Sequence, residues 1–293
     1  MPELTTYLVD VFGAGPGGGN PAPIVLDAAG MSDDAMRRVA QEYGHESGFV
    51  LPAPPGSDAD YALRFWVPNH EMSMCGHATV GAVWLLDHLS LLSKHRLRLH
   101  TASGAVEAVV TNPGTDARTV EISQPVGIVE PLLDPDLRAA LADVLGLEPD
   151  DLSEGPLQNA QTSRVKTLIP LRSVSTLDSL TPDFSRIHDV CEAIGSTGLY
   201  PYAIHPTGGL VDARQFPKSS GYPEDAATGI AAAALAFGLL EQGLTYASGD
   251  PLRIRQGRAM GRPSEIQVRF EHDGSQVVGC WIGGTAQLQS ASK

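Results

Sequence analysis

Charge is scarce in this chain: 18% of its 293 residues are Asp, Glu, Lys or Arg, against the roughly 25% usual for a globular domain. Basic residues are scarcer still, 20 Lys and Arg against 34 Asp and Glu, for a net charge of −14. A field of that sign repels phosphate backbones and anionic lipid, so no nucleic-acid partner is expected. Long apolar runs are missing. The longest apolar run without a charge lies around Thr228 to Leu240, short of the roughly 20 residues that span a bilayer, and no membrane partner is expected either. Cysteine is limited to Cys75, Cys191 and Cys280. That odd number, widely spaced and without a C-x-x-C pair, excludes a disulfide framework and points to a reduced, cytoplasmic setting. The start, Met1-Pro2-Glu3-Leu4, has no basic segment followed by an apolar one, so no secretory signal is expected.

Hydrophobic residues make up 42% of the chain, with 31 Gly and 22 Pro, a mixture that fits many short strands separated by tight turns. The length allows two domains or one large one. Strands are predicted at Thr6–Phe12 and Ala22–Leu26, with the glycine run Gly13–Gly19 turning between them. Ser32 is a good N-cap for a helix that Asp33 and Asp34 favour and Gly44 ends, which puts Glu46 just past its exit. Strands follow at 47–52 and 61–67, then a loop, then a helix from Thr79 that is apolar almost all round and therefore enclosed by other elements. Residues 96–124 give further strands. Asp134 and Pro135 open another helix running to Gly146. Strands at 166–171 and 199–205 flank a helix at 184–194, and a strand at 211–216 leads into a second loop and a second uniformly apolar helix, 228–240. Strands, polar loop, glycine and buried helix thus occur twice, around Gly76 and around Gly229. Two such helix N-termini in one cleft would carry unpaired N–H groups suited to a small organic acid.

The segment Gly13-Ala14-Gly15-Pro16-Gly17-Gly18 fits G-x-G-x-x-G, yet a dinucleotide fingerprint opens a helix, whereas Asn20-Pro21-Ala22-Pro23 leads into a strand. No cofactor is expected. His70, Cys75 and His77 match no familiar zinc spacing, and no metal is expected. A thiol just before a helix N-terminus is more readily ionised, which makes Cys75 a secondary candidate beside a packing role. Glu46 is the sharper candidate: a carboxylate in a closed, partly apolar cleft can take a proton and return it elsewhere on the same molecule. A glutamate at a helix exit is more often solvated, and an aspartate such as Asp225 more often caps the helix that follows, so spacing alone leaves both open.

Five segments in order decide the reading. Gly19-Asn20-Pro21-Ala22-Pro23-Ile24-Val25-Leu26, His45-Glu46-Ser47-Gly48-Phe49-Val50, Cys75-Gly76-His77-Ala78-Thr79-Val80-Gly81, Glu224-Asp225-Ala226-Ala227-Thr228-Gly229 and Gln256 to Ser264 together resemble the PhzF-like phenazine-biosynthesis isomerase family, of the diaminopimelate-epimerase type of fold. The resemblance implies an α+β fold of two similar lobes, each a strongly bent, mostly antiparallel sheet wrapped round a central helix, with the active site in the cleft between them. The lobes are expected at 1–124, joined by a C-terminal strand at 275–290, and at 125–274. Carried over, Glu46 is the catalytic acid/base, Gly76, His77, Asp225 and Gly229 hold substrate, and Asn20 shapes the site. The founding reaction moves a proton between ring carbons of trans-2,3-dihydro-3-hydroxyanthranilate, in secondary metabolism, without cofactor. A homodimer and a small carboxylic acid substrate are implied. Three departures qualify this: Ile230 stands where the phenazine enzymes carry a small hydroxyl residue that helps bind substrate, Ala226 replaces a common proline, and Ser47-Gly48 replaces a pair of threonines. The substrate-binding residue at that position is therefore Ile230, and a different substrate is expected. Two alternatives stay open: a cysteine-dependent racemase or epimerase using Cys75, and a catalytically inactive small-acid-binding protein of the same fold.

Overall fold

The computed structural model describes residues 5–206, 209–245, 247 and 249–289. Residues 1–4, on which the reading of the chain's start rests, and residue 290, the end of the expected C-terminal strand, lie outside the described residues. The fold is α+β, with two compact units: residues 1–123 with 282–293, and residues 124–281.

The first unit begins with β1 (Thr6–Val11) and β2 (Asn20–Val25), an antiparallel pair closed by the glycine run. Helix α1 (Asp33–Tyr43) follows; the Ser32 Oγ accepts from the Ala35 N–H at 3.3 Å, and Gly44 ends the helix in the left-handed region at φ 67°. Next come β3 (Ser47–Pro52), β4 (Tyr61–Trp66) and the short β5 (Glu71–Met72), which pairs with β4 inside what reads from sequence as a loop. Helix α2 (Gly76–His88) is buried from Gly76 to Asp87. It starts three residues before the apolar pattern does, because Gly76, His77 and Ala78 carry no amphipathic signal and no side chain caps them. Strands β6 (Arg96–Thr101), β7 (Gly104–Thr111) and β8 (Thr119–Pro125) complete this part of the chain.

The second unit contains β9 (Ile128–Pro131), α3 (Asp136–Leu145), β10 (Gln158–Gln161), β11 (Lys166–Pro170), α4 (Val174–Asp178), α5 (Phe184–Ala193), β12 (Gly198–Ile204), β13 (Leu210–Ala213), β14 (Phe216–Pro217), α6 (Gly229–Glu241), β15 (Leu252–Gln256), β16 (Ser264–Asp273) and β17 (Gln276–Gly284) as far as Trp281; a last strand, β18 (Ala286–Leu288), belongs to the first unit and pairs with β1. The one-turn helix α4, capped by Ser173, is too short to give a periodic signal in sequence.

Strand pairing repeats between the units. In the first the order β18, β1, β2, β3, β4, β6, β7 alternates as antiparallel, antiparallel, parallel, antiparallel, parallel, antiparallel. The order β9, β10, β11, β12, β13, β15, β16 follows the same succession. Strands near both ends of each order touch one helix: β18 and β7 contact α2, and β9 and β16 contact α6. Each sheet therefore bends round its helix. Both helices are buried on all sides, as their lack of a polar face requires.

Candidate active site

Helices α2 and α6 start alike. Each begins with glycine after an N-cap residue in extended backbone: Cys75 at φ −138°, ψ 111°, and Thr228 at φ −124°, ψ 92°. Neither N-cap side chain accepts a backbone N–H of its own first turn, so the positive end of each helix is available to other polar groups.

At the start of α2 three side chains converge. Glu46 lies between the glycine stop of α1 and the first residue of β3, and its side chain is 11% exposed. The Cys75 thiol donates to Glu46 Oε2 at 2.9 Å. His77 Nδ1 stands 3.4 Å from Cys75 Sγ and 3.5 Å from Glu46 Oε2. Burial holds the His77 imidazole below its ordinary value, opposed by the Glu46 carboxylate, and the ring is neutral near pH 7. Its Nε2 is buried without a hydrogen-bond partner. His77 thus sits inside the first turn of the helix and does not cap it. His70, the other histidine weighed as a metal ligand, is exposed and takes no part in this grouping. Asn20 opens β2, buried and opposite Val11 of β1, and Gly48 pairs with Ile24 further along the same strand. A Cβ on Gly48 would come within 2.9 Å of Ile24 Cδ1 and 3.4 Å of Ala78 Cβ, so the missing side chain lets β3 lie close to α2.

At the start of α6 a second polar group forms around Asp225. The Thr228 hydroxyl donates to Asp225 Oδ2. Gln256, on β15 and 2% exposed, organises the rest: its amide N–H donates to the Asp225 carbonyl at 2.6 Å and to Thr228 Oγ1 at 3.2 Å. Its Oε1 accepts from the Thr228 N–H at 3.3 Å and from the Tyr200 hydroxyl at 3.0 Å. Burial, reinforced by the Asp225 carboxylate, pushes the Tyr200 phenol up, so it remains an O–H donor. Gly229 and Ile230 are the first two residues of the helix, both buried. Sequence reasoning missed Tyr200, which lies in a continuously apolar strand, and quoted Gln256 only as part of a motif. The other two cysteines lie elsewhere: Cys191 on α5 and Cys280 on β17, pushed up to about 11 and about 12, each mainly by burial.

Residues 9–291 match a family described as phenazine biosynthesis-like protein. The chain belongs to that family. An uncharacterized isomerase, YddE, of Escherichia coli is 32% identical over 286 residues, covering 96% of this chain and 95% of its own. The trans-2,3-dihydro-3-hydroxyanthranilate isomerase of Pseudomonas aeruginosa is 30% identical over 279 residues, 94% of each chain. The crystal structure of a PhzF-family phenazine biosynthesis protein from Bacillus anthracis superimposes with a TM-score of 0.87 at 25% identity, over 99% of this chain and 98% of that one. Family members named as isomerases thus match this chain along nearly its whole length, and an isomerase is the enzyme class they support.

Proposed function

We propose that this phenazine biosynthesis-like protein is a cofactor-independent isomerase that moves a proton between carbons of a small cyclic amino or hydroxy carboxylic acid, with Glu46 as the acid/base. The observation that carries the reading is the largely buried Glu46 carboxylate at the start of α2, 2.9 Å from a thiol and 3.5 Å from a neutral imidazole. A carboxylate so placed can accept a proton from carbon and return it to another carbon of the same ligand before water intervenes. Backbone N–H groups at Gly76 and His77 supply positive potential for charge developing on the substrate. The remaining substrate-binding assignments, Asn20, Asp225, Gly229 and Ile230, are part of the same proposal. Ile230 offers no hydroxyl, which favours a ligand less polar at that position than dihydrohydroxyanthranilate. A homodimer is proposed from the resemblance alone.

Cys75 favours a second reading, racemisation through a thiolate, since its sulfur lies at the same helix start. That chemistry uses one thiolate on each face of the reacting carbon. The corresponding stretch Asp225-Ala226-Ala227-Thr228 carries no cysteine, so the Glu46 reading is preferred. One experiment separates them: a panel of cyclic amino and hydroxy acids is incubated with the protein in D₂O, and carbon-bound deuterium and product are followed by NMR. The isomerase reading expects a constitutional isomer; inversion at one carbon would transfer the reading to Cys75, and a ligand bound without any exchange would mean a binding protein.

A further inference from the structure

We propose that Glu46, Cys75 and His77 form a Zn²⁺ site, at which the ion acts as an inhibitor and not as a cofactor. Among the described residues this is the grouping of three metal-ligating side chains, with all candidate ligand atoms within 4.8 Å of one another. The geometry is close to what the ion requires. Tetrahedral zinc with bonds of about 2.3 Å to sulfur and about 2.0–2.1 Å to nitrogen and oxygen separates its ligand atoms by roughly 3.3–3.6 Å. Here Cys75 Sγ and His77 Nδ1 are 3.4 Å apart, and His77 Nδ1 and Glu46 Oε2 are 3.5 Å apart. Only the Sγ–Oε2 distance of 2.9 Å must widen. The thiol donates its proton across it, and that proton is the one the metal displaces.

A zinc ligand must be deprotonated at the ligating atom, so the thiol yields one proton to solvent as the S–Zn bond forms. Thiolate and carboxylate then bring two negative charges to a divalent cation in a place from which most water is excluded. Three protein ligands leave a fourth position for water or for a substrate carboxylate. Ligation withdraws the Glu46 oxygen from proton transfer, so occupancy should stop turnover. That inhibition rests on the Glu46 reading, whereas the binding does not.

The test uses the full-length protein, stripped of metal and without substrate. Titration with Zn²⁺ is expected to show one equivalent bound and one proton released, and Co²⁺ in its place a thiolate-to-metal charge-transfer band. Cys75→Ser should abolish the band, and His77→Gln should weaken Zn²⁺ binding by more than the roughly 10–100-fold that loss of an outer-shell partner costs. Cys191→Ser and Cys280→Ser should leave both readings unchanged. Absence of the band from the wild-type protein, or its survival in Cys75→Ser, would overturn the site; the wild-type spectrum decides even if a variant folds poorly. Stoichiometric Zn²⁺ with undiminished turnover would contradict Glu46 as the base while the metal site stands, and Glu46-dependent turnover without Zn²⁺ binding would do the reverse.

Discussion

Glu46 and His77 are 31 positions apart in sequence and 3.5 Å apart in space, and the proposed chemistry depends on that approach. A buried imidazole whose native value lies below the ordinary one near 6.5 binds fewer protons in the folded state than in the unfolded chain over the interval between the two values. Stability therefore rises with pH across that interval; the contribution is complete above 6.5 and is lost as pH falls through the lowered native value. His77→Gln should flatten this part of the profile. Urea midpoints of variant and wild type from about pH 5 to 8 measure it, and parallel profiles would show that His77 is not buried neutral. None of this burial could be read from the positions themselves, because a glutamate after a helix-ending glycine is usually solvated. The motif resemblance singled Glu46 out; its shelter comes from Cys75 and His77, which local sequence does not bring near it.

At the scale of elements, α2 and α6 were legible because uniform hydrophobicity over three turns has one stable outcome, enclosure. The start of α2 was less so, since Gly76-His77-Ala78 has neither a cap nor an apolar face. The two-residue β5 and the one-turn α4 were invisible for want of any period. Two contacts at these helices make testable claims. Gly257 has φ +77°, and a Cβ there would lie 2.3 Å from the Arg262 carbonyl oxygen and 2.7 Å from that of Ala226. Backbone cannot yield as a flexible side chain can, so Gly257→Ala should cost about 2 kcal/mol or more and loosen the Asp225 loop. Denaturant midpoints check this, and an unchanged midpoint would refute it. At the other end of α2, Asp87 accepts from Arg118 Nε at 2.5 Å with both side chains nearly fully buried. The Gly114 N–H and Arg118 outweigh the opposing effect of burial and hold the Asp87 carboxyl below its usual range. Asp87→Ala leaves the Arg118 charge uncompensated and should destabilise by about 3–5 kcal/mol, again read from the denaturant midpoint; a loss below about 1 kcal/mol would show the pair to be no better than a surface one.

Across the whole molecule, the repeat of one strand-pairing succession in both units accounts for the recurrence of strands, loop, glycine and buried helix in sequence. The resemblance carried the fold class; the pairing of β9 with β10 and of β18 with β1 was not readable, because strands of three or four residues show no clear alternation. The two helix starts also differ in chemistry. One holds a carboxylate, a thiol and an imidazole, and the other an aspartate fixed by Thr228 and Gln256. The acidic chain, at net −14, offers an anionic ligand little long-range attraction. Under the proposed function, binding of a small acid then rests on local donors at helix starts.

The central claim is that one carboxyl group, at position 46, carries the proton. Its most direct test takes a ring acid that the wild-type protein converts, labels with deuterium the carbon that loses its hydrogen, and follows a single turnover in H₂O with wild type and Glu46→Gln. The account predicts that part of the label reappears on the accepting carbon with wild type, and that Glu46→Gln folds normally but turns over at least about 10²-fold more slowly. Unimpaired turnover in Glu46→Gln would contradict it.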